Sequence, residues 1–168
     1  MDELGVISEG EVLNAFEYAL KELYQLDFDA LENDVSERMI AGRLAMYLRE
    51  AFIKWEDQGV RVDIEYNRKK EKIKEIGGVR FFPDILIHKR KVGECNILYC
   101  EVKKNSHENN TDAKRVSRWI QEEKYNFGIN LYQLNSTHCK FIFWRKNPGK
   151  NDYTKEKKIF DIKNGIMI

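Results

Sequence analysis

Two short apolar runs, residues 81–88 and 96–103, stand on either side of a charged connection, 89–94, that contains Gly93. Runs of this length, rich in Ile, Leu, Val and aromatic residues and bounded by turn formers, read as β-strands. Two strands separated so briefly pair as an antiparallel hairpin, which commits the middle of the chain to a sheet. Both runs carry charge where a buried strand tolerates it poorly. Pro83-Asp84 opens the first, and Glu101-Val102-Lys103 closes the second after Ile97-Leu98-Tyr99-Cys100. Pro83 lies near the strand start, where a missing N–H is tolerated.

Side chains alternate across a strand, so Ile97, Tyr99, Glu101 and Lys103 share one face and Leu98, Cys100 and Val102 the other. Glu101 and Lys103 then stand about 7 Å apart on one side. Asp84, Leu86 and His88 share a face of the first run. Hairpin pairing brings Asp84 beside Glu101 in one of its registers, and the sequence does not fix which. Two carboxylates about 4 Å apart repel by roughly 4 kcal/mol at an effective dielectric near 20. A Mg²⁺ or Mn²⁺ ion compensates that repulsion, because hard oxygen ligands suit it, and it keeps positions open for water and phosphate oxygens. Lys103 would add a fixed charge that orients the water or stabilises a developing oxyanion. The alternative is a Glu–Lys pair on an exposed sheet face with Pro83-Asp84 as a strand-entry turn.

Around this hairpin the apolar pattern changes period. Residues 8–30 read as a first helix, capped by Ser8, with Val12, Phe16, Ala19, Leu20 and Leu23 at helical spacing. Residues 35–55 read as a second, with Ile40, Leu44, Leu48 and Trp55 on its stripe and Asp34 with Glu37 as a capping box. Val60, Val62, Ile64 and Tyr66 alternate with polar residues as a strand. A charged segment, 68–76, and Gly77-Gly78 then turn the chain back. Thr111 caps a third helix running to about Tyr125. Strands follow at 127–134 and 139–144, with a short last element at 159–162. The order α-α-β-β-β-α-β-β predicts one α/β domain over 1–168, with a central mixed β-sheet flanked by helices and two N-terminal helices. Its core spans about 34–146, with the first helix packed on it.

With 168 residues, 42% of them hydrophobic, the chain can bury a core of one domain. No apolar run approaches the roughly 18 residues that cross a bilayer, so no membrane partner is expected. Cys95, Cys100 and Cys139 are odd in number and lack C-x-x-C spacing. They read as reduced thiols of a cytoplasmic protein. The net charge of +1 hides an asymmetry. Residues 1–60 hold 5 Lys+Arg against 14 Asp+Glu, and the remainder holds 24 against 14. The basic part suits contact with phosphates, with Lys104, Lys114, Arg115 and Arg118 as nucleic-acid-binding candidates. His88 lies about 13 Å along the strand from Asp84 and is not assigned to the site. The three tryptophans read as core.

Pro83-Asp84 followed by Glu101-x-Lys103, each at the end of an expected strand, resembles the PD-(D/E)xK nuclease superfamily. The element order after residue 34 is similar to its restriction endonuclease-like core. The resemblance covers roughly residues 34–135. It implies a metal-dependent endonuclease that hydrolyses phosphodiester bonds in DNA with water as nucleophile. It also implies that Asp84, Glu101 and the backbone carbonyl of Val102 hold Mg²⁺ or Mn²⁺ and that Lys103 assists the nucleophile. Many such nucleases carry an acidic residue on the helix before the first strand. Glu37 is the candidate here, either at the metal or as the cap opposite Asp34. Asp63-x-Glu65 points from the first strand and either borders the site or lies on the surface. Cleavage of both strands of a duplex by so small a domain implies a homodimer, by analogy. Two alternatives remain: a nuclease fold without turnover that binds nucleic acid or a protein partner, and an interaction protein that docks through its acidic helices.

Overall fold

The computed structural model describes the chain apart from residues 1–6, 34, 67, 70, 71, 74, 77, 78, 81, 91–94, 105–109 and 151, with backbone alone for 68–80 and 110–113. Helices α1 (Glu9–Leu26), α2 (Phe28–Glu32) and α3 (Glu37–Ala51) lead into a 3-10 turn, Ile53–Gln58. Eleven strands follow: β1 (Val60–Ile64), β2 (Arg68–Lys69), β3 (Lys72–Ile73), β4 (Glu75–Ile76), β5 (Val79–Arg80), β6 (Ile85–Lys89), β7 (Asn96–Val102), β8 (Phe127–Tyr132), β9 (His138–Lys146), β10 (Tyr153–Asp161) and β11 (Ile166–Met167). Helix α4 (Asn110–Glu122) joins β7 to β8.

Among the described residues seven strands form one mixed sheet in the order β1-β6-β7-β8-β9-β10-β11, parallel only between β7 and β8. That single parallel pair follows from α4, since a crossover helix returns the chain to the same end of the sheet. The remaining four strands make two short ladders, β2-β3 and β4-β5, in the charged segment before β6. The architecture is therefore α/β, as expected, with helices on both faces. One face packs Ile85, Ile87, Leu98, Cys100, Ile129, Phe141 and Phe160 against α1 and α3. The other packs Leu86, Tyr99, Ile142 and Trp144 against Val116, Trp119 and Ile120 of α4. All three tryptophans are buried, and the three cysteines are free thiols. Among the described residues no helix is long and apolar enough to cross a membrane.

Local details depart from the expected elements. The first helix breaks at Asp27, whose buried carboxylate is taken by Arg43 and Tyr47 of α3, so α1 and α2 are separate. The second helix starts at Glu37 with Ser36 as its cap, the Ser36 hydroxyl accepting the Met39 amide. Glu37 thus opens the helix instead of closing a capping box, and Asp34 lies outside the described residues. Gly59, at φ 87°, ends the 3-10 turn and redirects the chain into β1. The first strand stops at Ile64 because Glu65 takes a left-handed backbone, φ 50°. Asp63, the register partner of buried Leu86, is itself buried against His88 and Arg90, while Glu65 pairs with exposed Arg38. The β6-β7 register slips between Ile87 and His88. Ile97 therefore joins the α1/α3 core with Leu98 and leaves the face of Tyr99. The Thr111 side chain is outside the described ones.

Candidate active site

The β6-β7 register pairs Ile85 with Cys100 and Leu86 with Tyr99. One step further, Asp84 comes opposite Glu101. Asp84 sits just before β6 in the turn that follows Pro83, and its Oδ2 accepts the backbone N–H of Val102 at 2.7 Å. That bond fixes the carboxylate at the end of β7 where the sequence pattern Glu101-x-Lys103 lies. An extended residue sends its N–H and C=O to the same side. The Val102 carbonyl therefore leaves the strand toward Asp84 as well.

Glu101 is 3% exposed. Its Oε2 accepts the Tyr99 hydroxyl at 2.9 Å, two residues back on the same face, and its Oε1 accepts from Arg115 of α4 at 3.1 Å. The Lys103 ammonium stands 3.6 Å from Glu101 Oε1 and donates to Glu37 Oε2 at 3.3 Å. The other Glu37 oxygen accepts the Lys104 backbone N–H at 3.2 Å. Glu37 therefore bridges the start of α3 to the end of β7, half-exposed, on the outer side of Lys103. The structure brings together Asp84, Glu101, Val102, Lys103 and Glu37.

Electrostatics follow from this crowding. Burial pushes the Asp84 carboxyl above its ordinary range, and Glu37 and Glu65 add to the shift against the Val102 N–H and Lys103. Burial and the Asp84 charge push Glu101 up in the same way, despite Lys103, Tyr99 and Arg115. Burial opposes the charge on Lys103, yet Glu101, Asp84 and Glu37 outweigh it and hold the ammonium above its usual range. Two acids reluctant to ionise flank a lysine that stays charged.

The basic candidates divide. Arg115 donates to Glu101 from α4 and keeps about a third of its side chain exposed, 32%. Lys104 is 5% exposed, with its ammonium on the Val35 carbonyl at 3.0 Å, so it braces the start of α3. Lys114 is exposed, and Arg118 is engaged by Glu122 at 2.7 Å. Two neighbours escaped the sequence reading. Tyr99 was legible as the residue two before Glu101. Asn130, the register partner of Glu101 in β8, is the one strongly polar side chain of a fully buried strand, Phe-Gly-Ile-Asn-Leu-Tyr.

Among the described residues no three histidine, cysteine or acidic side chains form a group able to hold a metal by themselves. A Mg²⁺-type ion makes no such demand, since one or two carboxylates and several waters complete its shell. Asp84, Glu101 and the Val102 carbonyl offer oxygens alone, of the hardness such an ion selects. Among the described residues none donates a hydrogen bond to the Oδ1 of Asn130, which is buried on the strand beside Glu101. The donor set fits a divalent ion that retains its waters. Comparison with protein-family models, with curated proteins and with solved structures finds no match for this chain.

Proposed function

We propose that this chain is a divalent-cation-dependent nuclease with a restriction endonuclease-like core of the PD-(D/E)xK kind, hydrolysing phosphodiester bonds in DNA with water as nucleophile. The observation that carries the reading is the convergence of Asp84, Glu101 and Lys103 at the ends of two paired strands, with Asp84 locked to the Val102 amide. Asp84 and Glu101, with the Val102 carbonyl, are the residues that would hold Mg²⁺ or Mn²⁺. Bound there, such an ion would supply Lewis acidity toward a water and positive charge toward the phosphate.

Lys103 keeps its proton at neutral pH, so it acts as a fixed positive charge and hydrogen-bond donor and not as the base. Its ammonium steadies the attacking water and the charge that grows on the phosphate oxygens. Glu37 holds Lys103 from outside. Water adds to phosphorus, one P–O ester bond breaks, and a phosphate monoester and an alcohol leave. Solvent takes the proton of the attacking water and returns one to the leaving oxygen. Lys114, exposed on α4, supplies a contact to the polyanion backbone. Two copies would act on a duplex.

One observation favours a second reading. Glu101 is already neutralised by Arg115 and Lys103 and bonded to Tyr99, a state that suits a nuclease fold retained for binding without turnover. The test incubates wild type and Lys103→Ala with linear, nicked, branched and single-stranded DNA, with Mg²⁺, Mn²⁺ or chelator. The nuclease reading expects cleavage by wild type alone, abolished by chelator. Binding without cleavage by either protein selects the second reading.

A further inference from the structure

Asn130 sits in the middle of β8 with 1% of its surface exposed. It pairs with Glu101 on one side and Ile142 on the other, so its side chain lies on the α4 face beside the Glu101 carboxylate. All six residues of β8 are buried, and Ile142 belongs to the apolar cluster under α4. Nothing in that packing asks for an amide. Among the described residues its Oδ1 accepts no hydrogen bond, and a buried carbonyl without a donor costs the fold free energy that a leucine there would not. The polar groups around it are committed elsewhere, Tyr99 and Arg115 to Glu101. An acceptor kept at this cost, next to a carboxylate at the end of a catalytic strand, has its use in a state other than the ligand-free one.

We propose that Asn130 is a positioning residue for the cation, its Oδ1 accepting a hydrogen bond from a water in the hydration shell of the ion held by Asp84 and Glu101. This rests on the reading of that pair as a cation site. An ion of the Mg²⁺ class sheds its waters reluctantly. A water whose lone pair points at the ion has only hydrogens to offer, so it must find acceptors. The carboxylates are occupied by direct ligation, and Asn130 supplies the missing acceptor. A neutral amide does so without a third negative charge beside two acids that already repel. Partners of this outer kind commonly set metal affinity by ten- to a hundredfold.

The experiment uses the full chain without nucleic acid. Mn²⁺ is titrated by calorimetry into wild type, Asn130→Leu and Asn130→Asp, and each is melted in chelator. The expected result is a Kd about tenfold weaker for Asn130→Leu, with a metal-free melting temperature equal to or above wild type. Asn130→Asp, which keeps the acceptor, binds Mn²⁺ at least as tightly as wild type. Equal Mn²⁺ affinity in wild type and Asn130→Leu, with a lower metal-free melting temperature in the variant, would overturn the proposal and make Asn130 a packing residue. Should Asn130→Leu not fold, weaker Mn²⁺ binding by Asn130→Asp than by wild type overturns it equally. Failure of wild type itself to bind Mn²⁺ removes the cation site, a different outcome from binding that ignores Asn130.

Discussion

Asp84 accepts the amide N–H of Val102 at 2.7 Å, tying the turn before β6 to the last residue of β7. The bond holds a carboxylate opposite Glu101 in a setting that raises the pKa of both acids, burial first and neighbouring negative charge second. A group whose folded pKa is raised contributes stability below its unfolded pKa, near 3.9 for Asp, and loses it as pH rises through the folded value. Asp84→Asn keeps an acceptor for Val102 and removes the charge. In chelator the variant should therefore be more stable than wild type at pH 7–8, by about 1 kcal/mol, within the range of single stabilising substitutions. The gain should vanish near pH 4. Thermal melts across that range check it, and a destabilised variant at pH 8 would contradict the electrostatic account.

Lys103 faces Glu101, Asp84 and Glu37. Its replacement by alanine removes a charge needed during phosphodiester hydrolysis and should lower turnover by about 10²–10³-fold, the range seen for single electrostatic donors. It also removes a cation that competes for Glu101, so Mn²⁺ should bind at least as tightly as in wild type. Because the lysine is already protonated, the pH–rate profile should show no titration of it until well above neutrality. Rate and Mn²⁺ affinity falling together would point to collapse of the site instead.

Asp63 is buried between His88, at 2.9 Å, and Arg90. Burial pushes its carboxyl up, but the Arg90 and His88 hydrogen bonds outweigh it and leave the pKa well below the usual range. A depressed folded pKa contributes stability above the unfolded value, about 3.9, that is lost as pH falls through the folded one. Asp63→Asn should cost about 2–3 kcal/mol at neutral pH, typical of losing charged hydrogen bonds in the interior. The deficit should shrink in strong acid. Chemical denaturation at pH 7 and pH 3 measures the full deficit and its first decrease.

Gly128 lies where α4 crosses β8. A methyl group there would stand 3.0 Å from Ile120 Cγ2 and 3.2 Å from Val116 Cγ1. Both neighbours are fully buried, so neither can yield cheaply, and overpacking outweighs the entropy gained by replacing glycine in a strand. Gly128→Ala should destabilise by about 1–2 kcal/mol in urea titration. It should leave Mn²⁺ binding at least as tight, because displacement of α4 carries Arg115, a cation that competes for Glu101, off that carboxylate.

The Glu101-x-Lys103 pair was legible because strand alternation is local, and the mixed sheet because strand, helix and strand follow one another. What the sequence left open was set by contacts distant along the chain. The hairpin register put Asp84 opposite Glu101, the link from Glu37 to Lys103 spans 66 positions, and Arg43 with Tyr47 broke the first helix at Asp27. Lys104 looked like surface until the Val35 carbonyl received it. Of β10 only the end was read, as the element at 159–162, and for a different reason. Its run Thr154-Lys155-Glu156-Lys157-Lys158 has no apolar alternation, since among the described residues it pairs with β9 alone over 153–158 and is exposed along most of that stretch. Charge on such an edge discourages further pairing and erases the pattern from which strands are read.

The central claim is that Asp84 and Glu101 jointly hold one divalent ion. Calorimetric titration of Mn²⁺ into wild type, Asp84→Asn and Glu101→Gln tests it most directly, with circular dichroism to show that each is folded. The account predicts one site in wild type and loss of that site in each variant. Equal binding by all three folded proteins, or none by wild type, would contradict it.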